Sequence, residues 1–318
     1  MNTIVDQVYH DNFVTVIDLA ARSTPQGRET TAAAIRTACE TSGFFTVVGH
    51  GVSPELITRM YATTHAFFTQ PEEDKERSAC RAGVNGLRRL GTYEAFAAHV
   101  TGDLSDAERD ALGDYESTWK AANIWPETPT DFAAVWHEYM AAVTELSNDI
   151  MRLFAIALDL PENFFDDKFD RQVSMILANY YHPRQQSQQV EGLRRESHTD
   201  WGTLTVLYQE HDDGGLEVQT QAGEWRHVPA VPGSFVVNIG DLMKFWTGGR
   251  WASTVHRVVH PEGASPSRIS IPFFHLPNHD TTIEPLTGTG HTESVTVGQW
   301  FTSKVQAAYA VKLGKGAA

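Results

Sequence analysis

Three residues of this chain could hold one metal ion: His198 and Asp200, two apart, and His256, further along the chain. Two imidazoles and one carboxylate on one face of an ion leave its other positions open. That set suits a non-haem Fe(II) that must take up O2 and a second ligand together. In extended backbone, residues two apart project to the same side, so His198 and Asp200 can address one ion while Thr199 is directed away. His256 lies in Ser253-Thr254-Val255-His256-Arg257-Val258, a strand-like piece that could cross beside the first. The chain has 14 histidines, and His182, His227, His260, His275 and His279 compete for the third place. Each of these reads as a surface or hydrogen-bonded residue. His256 and His260 would suit a zinc pair on a helix, but Val255, Val258 and Val259 argue against a helix there. The chain has neither a His-Glu-x-x-His segment nor a Cys-x-x-Cys pair to favour zinc.

Arg268-Ile269-Ser270 follows the third ligand on the next strand-like run. A guanidinium can grip a carboxylate through two bonds, and a hydroxyl on the same face adds a third. A carboxylate anchor beside an open metal is what docking a 2-oxo acid requires. Upstream, alternation from Val173 to Tyr181 puts Met175, Leu177, Asn179 and Tyr181 on one face, where the Tyr181 phenol could donate to the same anion. Met175, Leu177 and Phe274 are the candidates for lining a substrate pocket, with core packing as their competing role. Arg195, paired with Arg194 just before the metal motif, could meet a substrate at the mouth or stand as a solvated loop residue.

These groups need strands to hold them, and the second half supplies strands. Val173–Tyr181, Leu204–Gln209, Leu216–Thr220, Trp225–Val228, Phe235–Ile239, Val255–Val259 and Arg268–His275 read as short strands. Gly, Pro and Asp separate them, as in Asp213-Gly214-Gly215, Ala222-Gly223 and Pro232-Gly233. Many short strands at close spacing predict a barrel or a double-sheet jelly roll. The first half reads as mixed helix and strand. A helix is expected over Arg28–Thr41, a buried strand over Phe44–Val48, and a second helix from Ser53-Pro54. The longest helix is expected from Thr128-Pro129-Thr130-Asp131 to about Leu158, and a last one from Thr296 with Gln299 closing a capping box.

The bulk numbers bound the partners. At 318 residues the chain can bury a large core, and 41% hydrophobic with 20% charged residues is ordinary for a globular protein. A formal net charge of −15, with no basic run beyond Arg88-Arg89 and Arg194-Arg195, excludes a nucleic-acid footprint. Two cysteines, Cys39 and Cys80, make no disulfide framework. Residues 1–10 have no basic run followed by an apolar stretch, and no apolar run approaches a membrane span. A cytoplasmic protein without a membrane partner, monomeric or weakly homo-oligomeric, is expected.

With these motifs assembled, the sequence resembles the Fe(II)/2-oxoglutarate-dependent dioxygenases of the isopenicillin N synthase-like family over most of its length. The resemblance begins with Gly43-Phe44-Phe45 and Gly49-His50-Gly51-Val52, then Phe67-Phe68, Pro71, Asn123-Ile124-Trp125-Pro126 and Asn179-Tyr180-Tyr181. Its most specific part is His198-Thr199-Asp200-Trp201-Gly202 with Leu204-Thr205. It continues through Gly215-Leu216, Val237-Asn238-Ile239-Gly240-Asp241, Thr247-Gly248-Gly249-Arg250, His256-Arg257-Val258 and Arg268-Ile269-Ser270.

The resemblance implies an α+β fold: a double-stranded β-helix (jelly roll) core flanked by helices, with a mixed α/β N-terminal segment. One composite domain is expected, with 1–165 as the N-terminal region, 166–295 as the catalytic core and 296–318 as a C-terminal helix. His198, Asp200 and His256 would bind Fe(II). Arg268 and Ser270 would hold the distal carboxylate of the cosubstrate 2-oxoglutarate, with Tyr181 and Asn179 assisting. The stretch from His256 to Arg268, with Pro261, Gly263 and Pro266, is longer than usual for the family and predicts a bulged turn.

The chemistry implied is oxidative decarboxylation of 2-oxoglutarate to succinate and carbon dioxide, coupled to C–H oxidation of a small molecule. Hydroxylation is the first expectation, with desaturation, cyclisation or epimerisation as other outcomes, in a setting such as specialised metabolism. Halogenating relatives carry a small residue where Asp200 stands, so Asp200 favours oxygen chemistry. Two other readings stay open. In one, an Fe(II) oxidase uses Arg268 and Ser270 on its substrate's carboxylate and needs no 2-oxoglutarate. In the other, a non-catalytic jelly roll binds a metal or small ligand.

Overall fold

A computed structural model describes residues 13–81, 84–110, 119, 121–183, 193–210, 215–260, 263, 265–286 and 294–315, with side chains as far as 308. Residues 1–10 lie outside the described residues, as do Asp213-Gly214 and positions 261, 262 and 264 of the turn expected to bulge.

Helices begin where the sequence supplies donors and acceptors for a first turn. Thr24 caps α1 (Pro25–Thr41) by accepting from the Gly27 N–H, and Ser53 caps α2 (Pro54–Phe68) by accepting from Leu56. Thr24-Pro25 therefore starts α1 earlier than the expected Arg28. The long helix α3 (Phe132–Ala157) starts later than Thr128-Pro129 led one to expect. The Pro129 carbonyl closes a turn on the Phe132 N–H, and Asp131 accepts from Thr63 of α2 instead of capping. The short α4 (Asp241–Trp246) follows a strand directly, and α5 (Val297–Lys315) ends the described chain. The expected box at the head of α5 is formed: the Thr296 N–H donates to Gln299 Oε1 and the Gln299 N–H to Thr296 Oγ1. None of the described helices is long and apolar enough to cross a membrane.

The strands are β1 (Thr15–Asp18), β2 (Phe44–Val48), β3 (Val84–Asn85), β4 (Leu87–Arg89), β5 (Tyr93–His99), β6 (Ala122–Asn123), β7 (Met175–Tyr181) and β8 (Arg195–His198). Then come β9 (Leu204–Gln209), β10 (Leu216–Gln219), β11 (Trp225–His227), β12 (Phe235–Ile239), β13 (His256–Val258), β14 (Arg268–His275), β15 (Thr282–Ile283) and β16 (Val295–Thr296). A large sheet runs β1-β2-β12-β9-β14-β7-β5-β4, and a small one β11-β10-β13-β8. Apart from the parallel pair β1–β2, neighbours in both sheets are antiparallel. This is the jelly roll expected from the sequence.

The N-terminal half adds more of the large sheet than its composition reveals. Tyr93-Glu-Ala-Phe-Ala-Ala-His99 is rich in alanine, a helix former, yet it pairs with β7 along its whole length, and all seven residues are buried. Pairing with a buried neighbour overrides intrinsic preference. Glu94 is tolerated there because Lys75, itself buried, lies 2.7 Å away.

The large sheet has two different faces. Outward, Ile176, Ala178, Tyr180, Val206, Ile269, Ile271 and Phe273 join Val143, Leu146, Ile150 and Phe154 of α3 in the main core. Each buried Val, Leu, Ile or Phe among them contributes about 1.5–3 kcal/mol through burial. Inward, at one end, Phe44 and Val236 meet Leu216, Val218 and Val258 of the small sheet in a second apolar cluster. At the other end the inward face carries the buried polar residues Asn179, Arg268 and Ser270, and there the candidate site lies.

Candidate active site

His198 ends β8, and His256 begins β13 directly opposite it, so antiparallel pairing brings the two imidazoles to one place. Their ring centroids are 4.3 Å apart. Asp200 sits just past the end of β8, in a loop rather than on the strand as the alternation argument had it. Its Oδ1 lies 3.9 Å from Nε2 of each histidine. The three ligand atoms lie within 4.8 Å of one another, and this is the one such His/Cys/Asp/Glu cluster among the described residues.

The partners of these side chains leave the correct atoms available for a metal. Nδ1 of His198 lies 2.7 Å from the Glu196 carbonyl oxygen, and Nδ1 of His256 lies 3.2 Å from that of Thr254. A carbonyl only accepts, so each Nδ1 carries the proton and each Nε2 keeps its lone pair. Oδ2 of Asp200 accepts from Thr205 Oγ1 at 2.6 Å and Asn238 Nδ2 at 2.8 Å, leaving Oδ1 for the centre.

Burial, then the neighbouring His256, lowers the His198 pKa to about 4, which keeps the imidazole a neutral ligand near neutral pH. Burial would raise the Asp200 carboxyl, but His256 and His198, helped by Thr205 and Asn238, hold it below its ordinary value. Two imidazoles and one carboxylate converging on a point are a donor set that fits Fe(II).

The loops carrying these ligands are tied to their surroundings by Asp241. Its N–H donates to the Asp200 carbonyl, while its carboxylate accepts from Thr199, Ser253 and Lys304. Thr199 thus points away from the centre, as alternation predicts. Beside it, a Cβ on Gly240 would lie 2.2 Å from the Gly202 carbonyl oxygen, so the backbones approach as only glycine allows.

Strand register places the second group of predicted residues. Arg268 lies opposite Tyr181, and Ser270 opposite Asn179, so all four share the inner face of the large sheet. Asn179 Nδ2 donates to Ser270 Oγ at 3.3 Å, and the Arg268 guanidinium carbon lies 5.6 Å from the centre of the Tyr181 ring. Burial, partly offset by Arg268, raises the Tyr181 pKa, so its phenol stays a donor.

Met175, Leu177 and Phe274 lie on the same inner face. Each is only partly buried, whereas their outward neighbours Ile176, Ala178 and Phe273 are buried. Arg195 is exposed and donates to the Tyr93 hydroxyl at 2.9 Å. Arg194 is buried, with its guanidinium 5.3 Å from the Tyr181 ring centre. Arg194 is therefore not a solvated loop residue, while Arg195 is exposed at the start of β8. Among the competing histidines, His275 is buried and stacked on Phe169 with centroids 4.3 Å apart.

Sequence reasoning did not assign Thr205, Asn238, Asp241 or Lys304. The first three stand inside motifs that carry the family resemblance, but only the folded chain shows that two of them hold the Asp200 carboxylate.

Comparison with known proteins gives two family matches. The 2OG-Fe(II) oxygenase superfamily matches residues 172–277, and the non-haem dioxygenase in morphine synthesis N-terminal family matches residues 14–128. A homoarginine-6-hydroxylase of Glycine max is 33% identical over 260 residues, covering 78% of this chain and 78% of that one. A validamycin A dioxygenase of Streptomyces hygroscopicus is 32% identical over 289 residues, covering 86% and 79%. The Arabidopsis thaliana dioxygenase for auxin oxidation 1, solved with 2-oxoglutarate, superposes with a TM-score of 0.69 at 27% identity, covering 88% of this chain and all of that one.

Proposed function

The chain belongs to the 2OG-Fe(II) oxygenase superfamily, and on that premise we propose which of its residues do the work. It is a 2-oxoglutarate-dependent dioxygenase that uses Fe(II) and O2 to oxidise a small molecule. In our reading, Nε2 of His198, Oδ1 of Asp200 and Nε2 of His256 hold the iron. The observation that carries this is their convergence, with each remaining ligand atom already engaged elsewhere. When bound, Fe(II) supplies the site where O2 and the 2-oxo acid meet, and their reaction yields succinate, carbon dioxide and an oxidant for a C–H bond.

The remaining residues bind, orient and exclude water. Thr205 and Asn238 fix the Asp200 carboxylate, and the two backbone carbonyls fix the imidazole planes. Arg268 and Ser270 take the distal carboxylate of 2-oxoglutarate, with the Tyr181 phenol and the Asn179 amide as further donors. Met175, Leu177 and Phe274 form an apolar wall for the substrate and keep water from the reacting centre. Arg195 stands at the rim, where its charge can meet an anionic or polar group. Hydroxylation in specialised metabolism is the outcome we favour. We place the protein in the cytoplasm, as one composite domain that acts as a monomer or weak homo-oligomer, without a nucleic-acid partner.

The test is a metabolite screen on Fe(II)-loaded protein, read by O2 uptake and succinate release with and without 2-oxoglutarate. Succinate formed in step with substrate oxidation is expected. Full-rate turnover without 2-oxoglutarate, and with no succinate, would overturn the assignment of Arg268 and Ser270 to the cosubstrate.

A further inference from the structure

Gln209 closes β9 directly opposite Ser270 of β14. Because Ser270 is also opposite Asn179, one row crosses three strands on the inner face: Asn179, Ser270 and Gln209. The next row carries Arg268 and Tyr181. Gln209 is 5% exposed, and among the described residues neither its Nε2 nor its Oε1 has a hydrogen-bond partner. On the other side of Ser270, by contrast, the Asn179 amide is engaged with the Ser270 hydroxyl. The neighbouring Glu210 is also engaged, accepting from the Ile269 N–H and from the Tyr61 hydroxyl.

A buried amide without partners costs stability, and native folds keep very few of them. The same strand position could hold leucine, as position 207 does two residues earlier on that face. A polar group retained there, beside two hydroxyls and a guanidinium, is one that gains its partner from a ligand.

We infer that the Gln209 side-chain amide is a further donor to the distal carboxylate of the bound 2-oxo diacid, completing the Arg268–Ser270–Tyr181–Asn179 cluster from the β9 side. This rests on the cosubstrate site proposed above and extends it to a residue on a third strand. The chemistry fits the ligand. Arg268 already matches the carboxylate's single charge, so a neutral NH2 donor adds a hydrogen bond without adding a second buried charge. Donors on three strands also fix how deep the carboxylate sits, so a 2-oxo acid lacking that group would leave the amide without a partner.

The experiment measures binding of 2-oxoglutarate to anaerobic Fe(II)-loaded protein by calorimetry, for wild type, Gln209→Leu, Gln209→Met and Arg268→Lys. In parallel, 2-oxopentanoate is titrated, which has the same chain length with a methyl in place of the distal carboxylate. Both Gln209 variants should bind 2-oxoglutarate about tenfold more weakly, in line with loss of a hydrogen bond to a charged group. Their affinity for 2-oxopentanoate should be unchanged, and thermal unfolding of the metal-free variants should be at or above wild type. Unchanged 2-oxoglutarate affinity in either folded Gln209 variant, alongside a weakened Arg268→Lys, overturns the role of Gln209 alone. Equal weakening towards both ligands overturns it too, because that marks general damage to the pocket. If Arg268→Lys also binds normally, the cosubstrate site itself is misplaced.

Discussion

The Asp200 carboxylate, the iron ligand we propose, is positioned by groups that engage only its other oxygen. Oδ2 takes two hydrogen bonds, from Thr205 on β9 and Asn238 on β12, and these fix the direction in which Oδ1 points. Thr205→Val and Asn238→Leu should each weaken iron binding by about 10–100-fold, measured by metal titration with the fold checked by circular dichroism. Asp200→Ala should abolish turnover, read as succinate release, while wild-type 2-oxoglutarate turnover persists in parallel. Arg268→Lys keeps the charge but loses the planar fork, so its KM for 2-oxoglutarate should rise about tenfold or more while substrate binding is retained.

At the scale of elements, two short strands and one helix end decide whether the residues meet. β8 and β13 deliver the histidines by direct pairing, with a register irregularity immediately after His256. α5 reaches the loop after β8 and the start of α4: Lys304 Nζ donates to Asp241 at 2.6 Å, and Trp300 Nε1 donates to the Trp201 carbonyl at 3.0 Å. Docking of α5 therefore supports the loop that carries Asp200. Lys304→Met should weaken iron binding by up to about tenfold, in metal titration, without unfolding the protein. Thr296→Ala removes one bond of the capping box and should cost about 1 kcal/mol in denaturant unfolding.

At the scale of the whole molecule, folding buries histidines that cannot take up a proton. Burial, then Arg88, lowers the His99 pKa to about 3, and burial lowers that of His275 to about 3. In the unfolded chain both titrate near pH 6.5. Above that pH they are neutral in both states and add no pH dependence. As pH falls below about 6.5, the unfolded state binds protons that the folded state refuses, so stability falls. The limiting slope is about 1.4 kcal/mol per pH unit for each group. The metal-free protein should therefore lose thermal stability steadily from pH 7 to pH 4, and His275→Gln should flatten that decline. A melting temperature that does not fall across this range would contradict the assignment.

The sequence by itself determined the chemistry and much of the scaffold. A His-x-Asp pair with a distant His, then Arg-x-Ser, carries its meaning in residue type and spacing, and strand alternation is local enough to be read from one chain. β2, β9, β12 and β14 were legible end to end, because strong apolar or alternating runs bounded by breakers leave few other solutions. β5 was not legible, since its alanines favour a helix and only pairing with β7 makes it a strand. Nor could the start of α3 be read, because Asp131 was taken up by Thr63 of another helix. Tertiary structure alone decided that Thr205 and Asn238 grip Asp200, that Asp241 joins its loop to α5, and that Gln209 lies beside Ser270. Apart from the Thr205–Asp200 contact, which a five-residue loop turn brings together, each of these joins residues far apart in sequence or on different strands and exists only once the register is set.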